Sequence, residues 1–188
     1  MTDICQPKKK IPYRKKVSFF VPFFFFTMMS EHEKEKGVVS MQDTYQFIGE
    51  DATFNLKNAE NYSYLYFPVA GEAGIKSAVT PNLSGDCKID QNTFILEPVS
   101  AENLHNNRNT RNFWCRIEDK GCWSVCGSSA KQEAEKFTKD QDESTLEAGF
   151  MWQKLTRISK EYGVKAETTS FVTLDGAMEV MMVELTNT

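Results

Sequence analysis

The sequence predicts a mainly β protein: an antiparallel β-sandwich with little helix. Three observations lead there. Runs rich in β-branched and aromatic residues recur between residues 61 and 185, clusters of Gly, Pro, Asn and Asp separate them, and no recurring helix lies between them. The last point excludes a doubly wound α/β fold, which alternates strands with helices. Composition fits one globular domain: 188 residues, 40% hydrophobic, 12% aromatic and 26% charged. That is enough for a sizeable core, and it excludes a collagen-like or disulfide-dense chain.

The elements follow in order. Asn61–Phe67 alternates with Tyr62, Tyr64 and Tyr66 on one face, which predicts a half-buried strand ended by Pro68. Gly71–Gly74 is a turn. Lys76–Thr80 is a short strand, and the turn formers of Pro81–Asp86 close it. Thr93–Glu97 is a third strand, closed by Pro98. The clearest hairpin joins Asn112–Glu118 to Cys122–Cys126 through Asp119-Lys-Gly121, a loop that fits a type I turn with a G1 bulge. Trp114 and Trp123 fall on its neighbouring strands and are expected to form an aromatic cross-strand pair. Residues 131–143 are almost wholly polar and read as a short solvated helix or loop. Residues 145–160 fit two periods: Leu146, Ala148, Phe150 and Trp152 alternate, while Met151, Leu155, Ile158 and Tyr162 step as on a helix. The Tyr162-Gly163 turn and the β-branched run Val164–Thr173 favour strand. Asp175-Gly176 is a turn and Ala177–Leu185 the last strand. Only Thr186–Thr188 follow it, with no capping element, so the sandwich is expected to be truncated.

The amino terminus differs from this body, and the chain divides into residues 1–40 and a sandwich domain 41–188. The net charge is −4, yet residues 1–16 alone carry +5 and the rest −9. An acidic body argues against nucleic-acid binding. Residues 17–29 form an apolar run broken by Pro22, with six of the chain's fourteen Phe between Phe19 and Phe26. Thirteen residues fall short of the ~20 needed to span a bilayer. The layout matches a secretory signal, but no small-x-small cleavage site follows. The favoured expectation is an upstream stretch translated from a misplaced start, with Met28, Met29 or Met41 as the native one. Five cysteines, an odd number without regular spacing, point to a reducing compartment and a cytoplasmic location.

Little of the chemistry-bearing inventory forms a motif. Cys115, Cys122 and Cys126 with His105 lack the short paired spacings of structural zinc sites, and alternation separates Cys115 from Trp114. The two histidines, His32 and His105, lie in polar stretches, and no nucleophile elbow is present. Gly71-Glu-Ala-Gly74 lacks the Lys-Ser/Thr of a phosphate-binding loop. Asp86 with Asp90, or Glu118 with Asp119, are candidate carboxylate pairs for glycoside chemistry, but acids at turns are commonplace. The Asn- and Arg-rich loop 103–112 running into Phe113-Trp114 is the best sugar-contact candidate. Planar amides and guanidinium groups suit vicinal hydroxyls, and an indole suits a pyranose face.

Several stretches recur in one order: Tyr64-Leu-Tyr-Phe-Pro68 with Glu72-Ala-Gly-Ile75, Val79–Asp86, Asp90-Gln-Asn92, Pro98-Val-Ser100, Glu102-Asn-Leu-His105, Arg111-Asn-Phe-Trp114, Trp123-Ser and Leu146–Phe150. This ordered set resembles the amino-terminal domain of cellobiose-phosphorylase-like glycoside phosphorylases, which include β-glucan phosphorylases. The likeness covers roughly residues 45–188. Cys122, Cys126 and the charged insert 131–143 depart from it.

The resemblance implies a non-catalytic sandwich that leads into a helical linker and an (α/α)6 barrel. The barrel's carboxylic acid protonates the leaving oxygen while inorganic phosphate, the co-substrate, cleaves a β-glucosidic bond with inversion. No metal or organic cofactor is implied, and this chain alone is expected to be inactive. Its partners would be a β-glucoside or β-glucan oligosaccharide, the barrel, and a second copy in a homodimer of the intact enzyme. Asp90, Gln91, Arg108, Arg111, Asn112 and Trp114 are the positions expected nearest sugar or barrel. Two other readings remain: a free-standing carbohydrate-binding module, and a membrane-tethered interaction domain driven by residues 1–29.

Overall fold

A computed structural model describes residues 45–96 and 110–188. The expectations for residues 1–40, His105 and Arg108 lie outside the described residues. The fold is mainly β and antiparallel throughout, in sandwich-like layers. Its strands are β1 (Tyr45–Ile48), β2 (Thr53–Lys57), β3 (Phe67–Ala70), β4 (Lys76–Val79), β5 (Cys87–Lys88), β6 (Phe94–Leu96), β7 (Trp114–Ile117), β8 (Gly121–Ser124), β9 (Glu143–Gly149), β10 (Trp152–Ser159), β11 (Val164–Val172) and β12 (Glu179–Asn187). One short helix, α1 (Ala130–Glu135), precedes β9.

Among the described residues three sheets form, with orders β1-β2-β9-β10-β11-β12, β3-β4-β5-β6 and β7-β8. β3 packs on β10 and β11, and β4 on β11, so the four-stranded sheet covers the six-stranded one. Period two holds within each of β9, β10 and β11, but the expected alternation of Leu146, Ala148, Phe150 and Trp152 breaks at the turn, where Phe150 is exposed and Trp152 falls on the outer face. Leu146, Ala148, Leu155, Ala166 and Val172 point inward and are buried, whereas Glu147, Lys154, Glu167 and Lys165 point outward. Outward charges pair on this face: Lys154 Nζ lies 3.2 Å from Glu147 Oε2, and Lys165 Nζ 2.8 Å from Glu167 Oε2. The ambiguous stretch 145–160 is therefore a hairpin turning at Phe150-Met151. Gly149 lies directly opposite Trp152, and a Cβ there would strike the indole.

The structure corrects four expectations. Asn61–Phe67 is not a strand: Ala59–Tyr62 makes a 3₁₀ turn and β3 starts only at Phe67. Tyr64 and Tyr66 stay exposed, because the chain here bends to bury Glu60. Pro68 lies inside β3 rather than ending it, paired with Ala78. That is tolerated because β3 is an edge strand, where a missing N–H breaks no ladder. Trp114 and Trp123 do not pair. Trp114 lies opposite Ser124 and Trp123 opposite Cys115, which puts the two indoles on opposite faces. Finally, the polar stretch 131–143 is not simply solvated, since Gln132 is buried and Asp142 nearly so.

Candidate functional site

The residues expected near sugar fall into two places. Asp90 and Gln91 form the exposed turn between β5 and β6. Asp90 Oδ1 accepts the amides of Asn92 (2.8 Å) and Thr93 (2.9 Å), and the Asn92 hydrogen bond foremost holds this carboxyl below the usual aspartate range. The carboxylate is thus engaged in shaping its own turn.

Arg111, Asn112 and Trp114 follow one another into β7 but face different surroundings. Arg111 is a clasp. Its Nε donates to Glu179 Oε1 (2.8 Å) on β12, and Nη1 and Nη2 donate to the carbonyls of Gly85 (2.8 Å) and Asp86 (3.0 Å) before β5. Its side chain is only 9% exposed, and its own amide donates to Leu83 O (2.9 Å). Asn112 is likewise turned inward, donating to Ser128 Oγ and accepting from Ser124 Oγ, both at 2.9 Å. Trp114 is 52% exposed and offers its ring to solvent, with Phe113 beside it. Among the described residues, no hydrogen bond or ion pair joins the Asp90–Gln91 turn to Arg111, Asn112 or Trp114.

Sequence reasoning missed a second, more deeply built cluster. Arg157 lies on the inner face of β10 with its side chain 1% exposed. Its Nη2 pairs with the Glu60 carboxylate, its Nη1 lies 4.0 Å from Asp142 Oδ2, and its Nε donates to Val125 O (3.1 Å). Asp142 also accepts Trp123 Nε1 and Gln132 Nε2, both at 2.9 Å, and Gln141 Nε2 reaches Glu60 Oε2 at 2.5 Å. Two carboxylates around one guanidinium, each with further donors, is what keeps such charges buried. Gly127 closes the cluster at φ +81°. A Cβ there would collide with both Glu60 and Arg157. The turn at Phe150-Met151 shifts the phase of the alternation, and only that shift turns Arg157 inward with Gln153 and Leu155. The distant partners of Arg157 carried no local signal.

Above this cluster opens a cleft of about 400 Å³, lined by Gln132, Asp140, Asp142, Lys160, Glu161 and Tyr162 among others. Two of its rim carboxylates are paired, Glu161 with Lys131 and Glu143 with Lys160 at 2.5 Å. Cys87, Cys115, Cys122 and Cys126 are free thiols. Burial pushes the thiols of Cys87 and Cys115 above the ordinary range. Among the described residues, no group of three His, Cys, Asp or Glu side chains could hold a metal ion, and no helix is long and apolar enough to cross a membrane. The chain matches no protein-family model and no curated protein.

Proposed function

We propose that this sandwich is the non-catalytic amino-terminal layer of a cytoplasmic glycoside phosphorylase, the inverting enzyme that cleaves β-glucosidic bonds with inorganic phosphate to give α-glucose 1-phosphate. The observation that carries the proposal is β12. It is an edge of the six-stranded sheet, and Met182 and Leu185 on it are 46% and 47% exposed. An edge with exposed apolar side chains suits a layer that packs against a further domain. The inward engagement of Arg111 and Asn112 agrees with a scaffold role, with the reacting carboxylic acid supplied by an (α/α)6 barrel and the substrate a β-glucoside or β-glucan. Trp114, and the turn of Asp90 and Gln91, would then form part of the rim.

The purified chain, assayed with cellobiose or a β-glucan and phosphate, is expected to release no glucose 1-phosphate. Release would refute a non-catalytic layer. The gene read past codon 188 is expected to encode a toroid of helices, and its absence would refute the phosphorylase reading. The exposed indole of Trp114 favours one second reading, a free-standing carbohydrate-binding module. Calorimetry with β-gluco-oligosaccharides separates the two: the scaffold stays silent, whereas a module gives saturable heat.

A further inference from the structure

Along the inner face of β10 and β11, polar side chains stand where a sandwich core is ordinarily hydrocarbon. Gln153 is fully buried, and Thr168 and Ser170 are each 1% exposed. The three are neighbours. Gln153 lies directly across the ladder from Ser170, and Thr168 is two residues back along β11, so it projects from the same face. Gln153 Nε2 donates across the sandwich to the Thr80 carbonyl (3.2 Å), just after β4. That fixes the amide and leaves its Oε1 turned the other way. Gln153 Oε1, Thr168 Oγ1 and Ser170 Oγ have no hydrogen-bond partner in the protein. The side chains opposite the two hydroxyls on β12, Met181 and Val183, offer them none.

We propose that Gln153, Thr168 and Ser170 form an internal hydration site between the two sheets, in which ordered water is the ligand. Buried polar groups in folded proteins are almost always bonded, and buried water characteristically makes about three hydrogen bonds to such groups. The donor count closes. One water hydrogen goes to Gln153 Oε1, which can only accept, and the other to one of the two hydroxyls. The remaining hydroxyl donates to the water oxygen. Gln153 thereby becomes a joint, with its nitrogen holding the Thr80 carbonyl of the facing layer and its oxygen holding β11 through water. This inference does not depend on the proposed function.

The test combines a high-resolution crystal structure of the full chain with melting of Thr168→Val and Ser170→Ala. A hydroxyl bonded to water loses that bond on substitution, so each variant is expected to melt about 2–4 °C lower. An orphaned hydroxyl would do the opposite, because removing it relieves an unpaired buried group and raises the melting temperature. Electron density for a water within hydrogen-bond reach of at least two of the three groups, with both melting temperatures lowered, bears the proposal out. A raised or unchanged melting temperature in either variant, or no water at that position, overturns it.

Discussion

The buried cation of β10 gives the sharpest prediction. Replacing Arg157 by Met keeps length and apolar volume but leaves the carboxylates of Glu60 and Asp142, at 7% and 10% side-chain exposure, facing each other without a cation. Removing one partner of a buried ion pair costs about 3–5 kcal/mol. For a domain whose total stability is about 5–15 kcal/mol, that is a large share. At about 2–4 °C per kcal/mol for a chain of this size, the melting temperature should fall by roughly 6–20 °C. Urea unfolding followed by far-UV circular dichroism reads the loss directly. The double variant Glu60→Gln, Arg157→Met removes one stranded charge while an amide remains beside Gln141. It should recover about half of the deficit, since the damage comes from the uncompensated charge. An Arg157→Met protein within about 1 kcal/mol of the parent would refute the reasoning. So would a double variant as unstable as the two single losses added together.

Three further outcomes follow from the same geometry. Arg111→Lys should destabilise by about 1.5–3 kcal/mol in denaturant unfolding, because one ammonium cannot reproduce the fork that reaches Glu179 and the Gly85 and Asp86 carbonyls together. The Asp90 carboxyl, followed by NMR, should titrate below the ordinary aspartate value of about 3.9. Its folded pKa is depressed, so its contribution is complete above that value and is lost as pH falls through the folded pKa; Asp90→Ala should remove this acid-side dependence. Among the described cysteines, Cys122 is exposed and should be alkylated first in the native state. Cys87, buried and with its thiolate disfavoured, should react only on unfolding, as peptide mass mapping will read.

How much of this was legible in the sequence depends on whether a residue's role is set by its neighbours in the chain. β9 and β11 were readable because both faces follow period two over seven and nine residues, whereas the phase of β10 was not, because the Phe150-Met151 turn shifts it. The competing helical period would have gathered Met151, Leu155 and Ile158 on one helix face; the strand instead turns Leu155 inward and Ile158 outward. β1 and β2 were not readable: Phe47 and Ile48 are exposed, and the Gly49–Ala52 turn interrupts a weak pattern. The tyrosine alternation at 62–66 misled for the opposite reason. It has the right period, but the neighbouring Glu60 is drawn to Arg157, and that long-range pairing bends the segment out of any sheet. Asp142 and Gln132 looked solvated for the same reason, since their partners lie on other strands and in no local window.

That division bears on where sugar chemistry would reside. Of the three arginines among the described residues, Arg111 and Arg157 are closed into internal networks that join separate strands, one at β12 and one across β10, whereas Arg116 on β7 is exposed. A guanidinium that already holds a carboxylate and backbone carbonyls cannot also bind vicinal hydroxyls without breaking the fold it secures. What remains free on this surface is the Trp114 ring, with Phe113 beside it and Arg116 two residues along β7 on the same face. A stacking face with a single guanidinium on its strand offers a sugar few directed hydrogen bonds, and a specific subsite would need further hydrogen-bonding groups around it. Arg111→Ala and Trp114→Ala should therefore separate. The first should lower stability. The second should leave stability within about 0.5 kcal/mol and show its effect only where a sugar is bound.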